Sequence, residues 1–213
     1  MAMNDNFCVF LDAGHGGLDR NGAYTTAPGK QFQHTQGQFH NGSWFYEGVW
    51  NRTLVSQVRQ KLDILGIHYL PVYHESVDLP LQYRVDQANW YYRNFRRGIF
   101  ISTHANASGV GARGYELYTS PGVTASDGIA DIHWKHIENL LGGRIRMRTD
   151  RSDGDYDKEA RFYVLTRTIM PAVLIEHLFF DNFQDAQLLM NPEIVDRFAE
   201  AQVRTIIEYA NRL

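Results

Sequence analysis

Two histidines follow short apolar runs of the sequence. His15 comes after the run at 9–11 and has glycine on both sides, and His104 comes after the run at 99–101. Short runs of β-branched and aromatic residues that are closed by small residues predict buried strands that open into turns. Glycine leaves space around a neighbouring imidazole, which is the commonest metal-binding side chain in proteins. We therefore predict that both histidines lie at strand ends within reach of a metal or a substrate, although Gly-His-Gly alone is also typical of a turn histidine bonded to nearby backbone.

Two glutamates extend this pattern. Glu176 ends a third apolar run at 172–175, and Glu47 heads a segment in which apolar residues recur every three or four positions until Gly66. That spacing predicts an amphipathic helix with Glu47 in its first turn. Two histidines and one glutamate are a ligand set that zinc uses in hydrolases, and a further carboxylate can act as the base. The four residues together indicate a zinc hydrolase; for Glu47 alone, an acid that complements the helix dipole is the alternative.

These residues belong to an ordered series of motifs that spans nearly the whole chain. The series is Leu-Asp-x-Gly-His-Gly-Gly at 11–17, Glu47 with Asn51, Leu81 with Arg84, Ala88 and Asn89, Ser-x-His-Ala-Asn-Ala at 102–107, Gly-Tyr-Glu-Leu-Tyr at 114–118, and Pro-Ala-Val-Leu-Ile-Glu at 171–176 with Asn182. In this order it resembles the zinc-dependent N-acetylmuramoyl-L-alanine amidases of type 3, which cut bacterial peptidoglycan.

The resemblance implies a site and a reaction. By this likeness His15, Glu47 and His104 bind one Zn²⁺, and Glu176 is the catalytic carboxylate that takes a proton from water. The bond that is cut joins the lactyl group of N-acetylmuramic acid to L-alanine. The implied enzyme is therefore a hydrolase of the autolysin or endolysin kind, with peptidoglycan or a muropeptide as its substrate.

Three further residues are candidates for substrate binding. Trp44 belongs to an aromatic cluster directly before the first predicted helix. This cluster ends a polar and aromatic loop insertion at about 18–46, which we expect to wall one side of the cleft. Asn106 lies in the turn after the strand at 99–104. Arg84 lies on a second helix, where bracing a loop or pairing with the catalytic carboxylate is the alternative to substrate contact.

Four other histidines are not assigned to the metal. His34 and His40 lie in the insertion, and we expect both to face solvent because the ligand set is complete without them. His133 and His136 lie three positions apart on a helix predicted at about 124–141. No third ligand accompanies that pair in the sequence, so we expect these two side chains to be at the surface or half-buried.

The sequence departs from the family pattern at three places. Ala13 stands where proline is common, His177 and Leu178 stand where a small residue and glycine usually follow the glutamate, and the insertion is longer than usual. The last two departures bear on the shape of the cleft. They leave two alternatives open: a catalytically weak or inactive module of the same fold that binds peptidoglycan or metal, and a zinc peptidase that cuts within the stem peptide.

The elements that must position these side chains alternate between strand and helix. This order predicts an α/β fold, a single domain with a mostly parallel or mixed sheet of about six strands and helices on both faces, and ligands gather at the carboxyl ends of such strands. The predicted strands are 9–11, 67–72, 99–104, 115–119 at an edge, 162–165 and 172–176. The predicted helices begin at Glu47, Pro80, about 124, Asn182 and Asn191. The charged stretch 144–161 is typical of a solvated loop.

Composition excludes several classes of protein. A length of 213 residues with 44% hydrophobic content suffices for one full core, so we expect one catalytic domain over 1–213. The formal charge of −3 gives no attraction to nucleic acid. No stretch approaches the ~20 apolar residues of a membrane span. The single cysteine, Cys8, excludes an intramolecular disulfide. The expected oligomeric state is a monomer.

The first six residues contain no basic segment followed by an apolar core, so no secretory signal peptide is visible. The implied enzyme acts at the cell wall, in the periplasm or outside the cell. We therefore expect either a trimmed chain or a lysin that reaches the wall by another route, as phage lysis enzymes do.

Overall fold

The computed structural model describes residues 7–95, 97–109, 111–152 and 154–213. The amino-terminal segment that lacks a signal pattern therefore lies outside the described residues, as does Asp153 of the charged stretch.

Within the described ranges, eight strands form one six-stranded sheet and one small hairpin. In chain order they are β1 (Phe7–Ala13), β2 (Gln31–Gln33), β3 (Trp44–Tyr46), β4 (Tyr69–Pro71), β5 (Arg97–Asn106), β6 (Glu116–Thr119), β7 (Lys158–Glu159) and β8 (Ala172–Phe179). The large sheet has the order β4-β1-β5-β8-β6-β7, and β2 pairs with β3. Within the large sheet only β6 and β8 pair antiparallel. The predicted mostly parallel sheet of about six strands is confirmed.

The described residues form six helices, of which the first four lie between strands and the last two follow β8. They are α1 (Glu47–Leu65), α2 (Leu81–Phe95), α3 (Ala125–Leu141), α4 (Tyr163–Arg167), α5 (Phe183–Leu189) and α6 (Pro192–Arg212). Gly66 ends α1 in the left-handed conformation, with φ of 66°, as its position after the last apolar residue predicts. The side chains of Asn182 and Asn191 accept backbone N–H groups at the starts of α5 and α6, which confirms both predicted helix starts.

The pleat of the strands divides the core between the two faces of the sheet. Val9 and Leu11 of β1 pack in a large cluster with residues of α1, α3 and α6. Cys8 and Phe10 point the other way, into a smaller cluster with residues of α2 and α4. Side chains alternate in the same way wherever a strand is regular. In those stretches, the parity of a residue decides whether it faces α1 and α6 or α2 and α4.

The prediction of a strand at 162–165 is wrong, because Phe162 caps a short helix that begins at Tyr163. A run of four apolar residues is too short for its periodicity to separate a strand from a buried helical turn. Here the helix buries Val164 and Leu165 against the smaller cluster.

At one end of the large sheet the outermost strand is β7, and β6 lies between β7 and β8. The prediction of an edge strand at 115–119 is therefore also wrong. The strand β7 lies in the stretch 144–161, which is more than a solvated loop. Asp157 is buried, and Arg148 and Lys158 bind the buried carboxylate of Glu116. The charges in this stretch thus serve partly to neutralise an acid inside the fold.

The insertion at 18–46 contains the β2–β3 hairpin as well as turns. In the described part of the chain no helix has both the length and the apolar character needed to cross a bilayer.

Candidate metal centre and active site

The carboxyl ends of three neighbouring strands form the candidate site. In the parallel pair β1–β5, Ala13 lies beside Thr103, which places the loop of His15 next to His104. In the pair β5–β8, His104 lies beside Glu176. Strand pairing therefore brings together three side chains that are far apart in sequence, at the edge of the sheet where α/β proteins bind ligands.

Glu47 enters the site from the first turn of α1 and contacts both histidines. Its Oε1 atom lies 2.9 Å from Nδ1 of His104 and 3.3 Å from Nε2 of His15. The two imidazole rings meet edge to face with centroids 5.1 Å apart. One ligand atom from each of the three side chains lies within 4.8 Å of the other two. The structure thus gathers the three predicted ligands in one cluster.

The polar atoms of this cluster fit a divalent cation. Nε2 of His15 and Oε2 of Glu47 are buried without a hydrogen-bond partner among the described residues. Leaving such an atom unsatisfied costs about 1–3 kcal/mol, and a bound cation removes that cost. Two imidazole nitrogens and a carboxylate oxygen are donors that zinc accepts, and three protein ligands leave a position open.

Electrostatics keeps the Glu47 carboxylate ionised. Burial opposes its ionisation, but the hydrogen bond from His104 and the proximity of both imidazole rings outweigh burial, so the pKa of Glu47 lies well below its usual range. An ionised, buried carboxylate is the form that binds a metal.

Glu176 has the opposite electrostatics. It faces the same side of the sheet as His104, and its Oε2 atom is buried without a hydrogen-bond partner in the described structure. Burial raises the pKa of Glu176, and the Glu47 charge adds to this, while His104 and Lys30 act against it. Two carboxylates whose environments drive their pKa values apart are typical of a ligand and a proton-transfer group.

Arg84 holds the loop that carries His15. Its guanidinium is 1% exposed and lies 2.5 Å from Oδ1 of Asp12 and 3.2 Å from Oδ1 of Asp78. It also donates to the carbonyls of Ala13 at 2.8 Å and His15 at 3.1 Å. Its ion-pair partners are thus Asp12 and Asp78, and the alternative of an ion pair with Glu176 is not what the structure shows. Bracing the loop describes its contacts, and substrate contact by Arg84 stays a prediction.

A second arginine that the sequence analysis missed braces the same loop. Arg52 of α1 donates from Nη2 to the carbonyl of His15 at 2.7 Å, and Asn51 donates to the carbonyl of Gly14 at 3.1 Å. His15 has a φ of 63°, which non-glycine residues rarely adopt. These donors fix the carbonyls on either side of that strained position. The only sequence signal was that Arg52 follows Asn51, a member of the motif series.

A cleft of about 300 Å³ opens beside the cluster. Its lining includes His15, His104 and Glu176, together with Lys30 from the insertion. The lining also has an apolar part, formed by Leu81, Phe162, Tyr163, Val164 and Leu174. A larger and more open groove of about 690 Å³ along α1 is lined by none of the four predicted site residues. Neither Lys30 nor Tyr163 lies next to a predicted site residue in sequence, so no local pattern predicts that they line the cleft.

The two remaining substrate candidates have different surroundings. Asn106 is half-buried beside the site and donates from Nδ2 to Oε2 of Glu116 at 2.9 Å. Glu116 in turn pairs in register with Glu176. Trp44 lies half-buried in the hairpin opposite Gln33 and is not among the cleft-lining residues. Substrate binding by both stays a prediction.

The insertion histidines do not face solvent as predicted. His34 is buried, and its Nε2 donates to the carbonyl of Phe180 at 2.9 Å. His40 is partly buried, its Nδ1 accepts the N–H of Tyr46 at 2.9 Å, and burial lowers its pKa to about 4. Aromatic neighbours in the folded insertion, which no local pattern reveals, enclose both rings. Both therefore hold the insertion in place.

The helix histidines also hold structure together. The prediction is wrong for His133, which is buried and bonded to Tyr115 and to Thr205 of α6. It is confirmed for His136, which is half-buried and 2.9 Å from Oε2 of Glu208. These contacts join α3 to α6.

His177 lies on the opposite face of the sheet from Glu176, since the two are consecutive in β8. Its Nδ1 donates to the carbonyl of His104 at 3.0 Å, and its Nε2 accepts from Gln202 at 3.2 Å. Burial lowers the pKa of His177 to about 3, so the ring is neutral. The next residue, Leu178, has a φ of 65°, at the position where the family pattern has glycine. Together they form a bulge that fixes the end of β5 against β8.

The chain matches a protein-family profile and several known proteins. The profile of the family described as N-acetylmuramoyl-L-alanine amidase matches residues 9–208. The endolysin of Bacillus phage SPP1 is 28% identical over 204 residues, which are 95% of this chain and 66% of the endolysin. An N-acetylmuramoyl-L-alanine amidase of Bacillus licheniformis is 26% identical over 95% of this chain and 68% of its own length. The chain therefore spans about two thirds of the length of these relatives.

Solved structures show the same fold. The crystal structure of an N-acetylmuramoyl-L-alanine amidase from Clostridium difficile 630 superposes with a TM-score of 0.75 over 98% of both chains, at 24% identity.

Proposed function

Because the chain belongs to the N-acetylmuramoyl-L-alanine amidase family, and is therefore an amidase, we propose that it is a zinc-dependent hydrolase of bacterial peptidoglycan. The bond it cuts joins the lactyl group of N-acetylmuramic acid to L-alanine. The products are a free lactyl carboxylate on the glycan and a free amino group on the peptide.

One observation carries this proposal. His15, Glu47 and His104 converge with two buried, unpartnered ligand atoms, and Glu176 stands beside them on the neighbouring strand. A protein that only binds peptide does not need a carboxylate of raised pKa next to a three-ligand metal site. This arrangement therefore supports hydrolysis over the binding-module alternative.

The mechanism assigns one task to each group of residues. His15, Glu47 and His104 would hold a zinc ion, which would supply a Lewis acid for the amide carbonyl and make water a stronger nucleophile at neutral pH. Glu176 accepts the proton of the attacking water on its carboxylate and delivers it to the leaving amine. Arg84 and Arg52 keep the His15 loop in its strained conformation, so that the ligand does not reorganise during the reaction.

The relatives suggest where the enzyme acts. The endolysin of phage SPP1 and the amidase of Bacillus licheniformis are both named for action on cell walls or their amide bond. We propose the same site of action here, at the cell wall, in the periplasm or outside the cell.

Digestion of defined muropeptides tests the proposal directly. Purified protein loaded with zinc should release intact stem peptides with a free amino-terminal L-alanine, which mass spectrometry identifies. Cleavage inside the stem peptide would instead establish the zinc peptidase alternative. Chelation should abolish turnover, and His104→Ala should lose zinc in elemental analysis, because two ligands do not retain the ion well.

Glu176→Gln separates the base from the ligands. The amide keeps the shape of the side chain and removes its basicity, so turnover should fall at least ~10²-fold while zinc content and fold persist. Near-normal turnover would remove Glu176 from the mechanism, and loss of zinc would make it a ligand.

A further inference from the structure

Lys30 joins the insertion to the metal ligand Glu47. Its carbonyl accepts the backbone N–H of Glu47 at 3.0 Å and the hydroxyl of Tyr24 at 3.1 Å. Its backbone has a φ of 56°, a conformation that costs a non-glycine residue about 1 kcal/mol or more. The next residue, Gln31, begins the hairpin and pairs with Tyr46. The start of the hairpin thus has a fixed position relative to the metal site.

The side chain of Lys30 brings the positive charge of its ammonium group to the cleft. It lines the same cavity as His15, His104 and Glu176, and it is exposed to solvent. The structure records no ion pair or hydrogen bond for its ammonium within the described ranges. Arg84 is also a cationic side chain in the lining of this cleft, but Asp12 and Asp78 already neutralise its charge. A negative group that enters the cleft therefore meets an available partner at Lys30.

The chemistry of the substrate limits what that negative group is. In the proposed substrate, the carboxyl group of muramic acid is consumed by the scissile amide, and N-acetylated sugars are neutral. The carboxylates near the bond therefore belong to the peptide, on the leaving-amine side. Resting on the proposed function, we propose that Lys30 is a specificity residue that binds a free carboxylate of the stem peptide.

Two other roles of Lys30 make different predictions. If it acts only through its backbone, its side chain is dispensable for every substrate. If it acts only through its charge on Glu176, whose pKa it lowers, its loss changes turnover of charged and neutral peptides equally. Recognition of a carboxylate affects only substrates that carry one. Deleting the insertion cannot separate these roles, because it also removes the carbonyl that holds Glu47.

The experiment compares two substrates and three variants. The substrates are N-acetylglucosaminyl-N-acetylmuramoyl-L-alanyl-D-glutamate and its diamide, which differ only in the carboxylates of the second peptide residue. Lys30→Gly removes the side chain and relieves the positive φ, so it should fold. Lys30→Gln removes the charge alone, and Lys30→Arg retains it. Lys135→Gln removes an equal charge from the exposed surface of α3 and is the control.

The zinc-loaded wild type should prefer the acid over the diamide by about three- to tenfold in kcat/KM at low ionic strength, mainly through KM. This preference should fall to about one in Lys30→Gly and Lys30→Gln, persist in Lys30→Arg and Lys135→Gln, and weaken as salt is added.

An unchanged preference in Lys30→Gly, or an equal loss on both substrates, would overturn the inference while leaving the amidase activity in place. Inactivity of the wild type on both substrates and on whole cell walls would instead overturn the proposed function, and this inference with it.

Discussion

Substitution of Gly14 by alanine should disable the proposed metal site without unfolding the protein. A Cβ atom at Gly14 would lie 2.1 Å from Cε1 of His104 and 2.5 Å from both ring nitrogens. Ordinary contact begins at 3.4 Å, so the ring would have to move by at least about 1.3 Å. The backbone of Gly14 cannot retreat easily, because its N–H donates to Thr103 at 3.0 Å and its carbonyl accepts from Asn51 at 3.1 Å.

A displacement of this size is large for a metal ligand. Ligand distances in zinc sites vary by about 0.2 Å, and the ring would also leave the Oε1 atom of Glu47, now 2.9 Å from Nδ1. We expect Gly14→Ala to bind zinc about 10–100-fold more weakly than the wild type. Its kcat/KM should fall by at least ~10²-fold. Competition with a chelating dye measures the affinity, and muropeptide turnover measures the rate.

Gly128→Ala is the matched control. Gly128 is exposed within α3, where an added Cβ meets nothing within 4 Å. This variant should gain about 0.5–1 kcal/mol of stability from its higher helix propensity and keep full zinc affinity. Wild-type zinc affinity and turnover in Gly14→Ala would refute the placement of His104 against this loop. If the circular dichroism spectrum of metal-free Gly14→Ala is that of an unfolded chain, the clash disrupts the core and its effect is not confined to the proposed metal site.

Three further outcomes follow from buried groups. His177→Phe keeps an aromatic ring but leaves the His104 carbonyl without its donor, so urea unfolding should show a loss of about 1–3 kcal/mol. Burial raises the pKa of Asp157 from 3.8 to about 7. The contribution of this carboxyl group to stability is therefore greatest below about pH 4 and is lost as pH rises through about 7. Asp157→Asn should accordingly raise the melting temperature more at pH 8 than at pH 5. Since a base must be ionised and burial raises the pKa of Glu176, kcat/KM should fall as pH decreases through that pKa, and Glu176→Gln should lack this limb of the pH profile.

Much of the site could be predicted because its signals are local. The runs that end near His15, His104 and Glu176 specify strands through residue type and length alone. Parallel strands align their carboxyl ends, so three strand-end side chains meet once the strands pair. The capping asparagines and Gly66 fixed helix ends by hydrogen bonds within a few residues.

The sequence could not predict the partners of side chains whose contacts lie far along the chain. Arg84 pairs with Asp12 across 72 positions, and His34 bonds to Phe180 across 146. Such a guanidinium or imidazole has the same local pattern whether it meets solvent, substrate or backbone. The prediction of a strand at 162–165 was wrong for a related reason. A short apolar run can form either a strand or a helical turn, and packing against the sheet selects the helix.

By itself the sequence therefore determined the α/β class, most of the strand ends and a likeness that predicts four site residues, because hydrophobic periodicity and turn chemistry act over a few neighbours. Only the tertiary structure decided that Lys30 lines the cleft and that His177 lies on the opposite face of the sheet from Glu176. It also decided that Arg84 and Arg52 hold the strained loop of His15. Those positions depend on which carbonyl, carboxylate or ring the folded chain brings within hydrogen-bond distance.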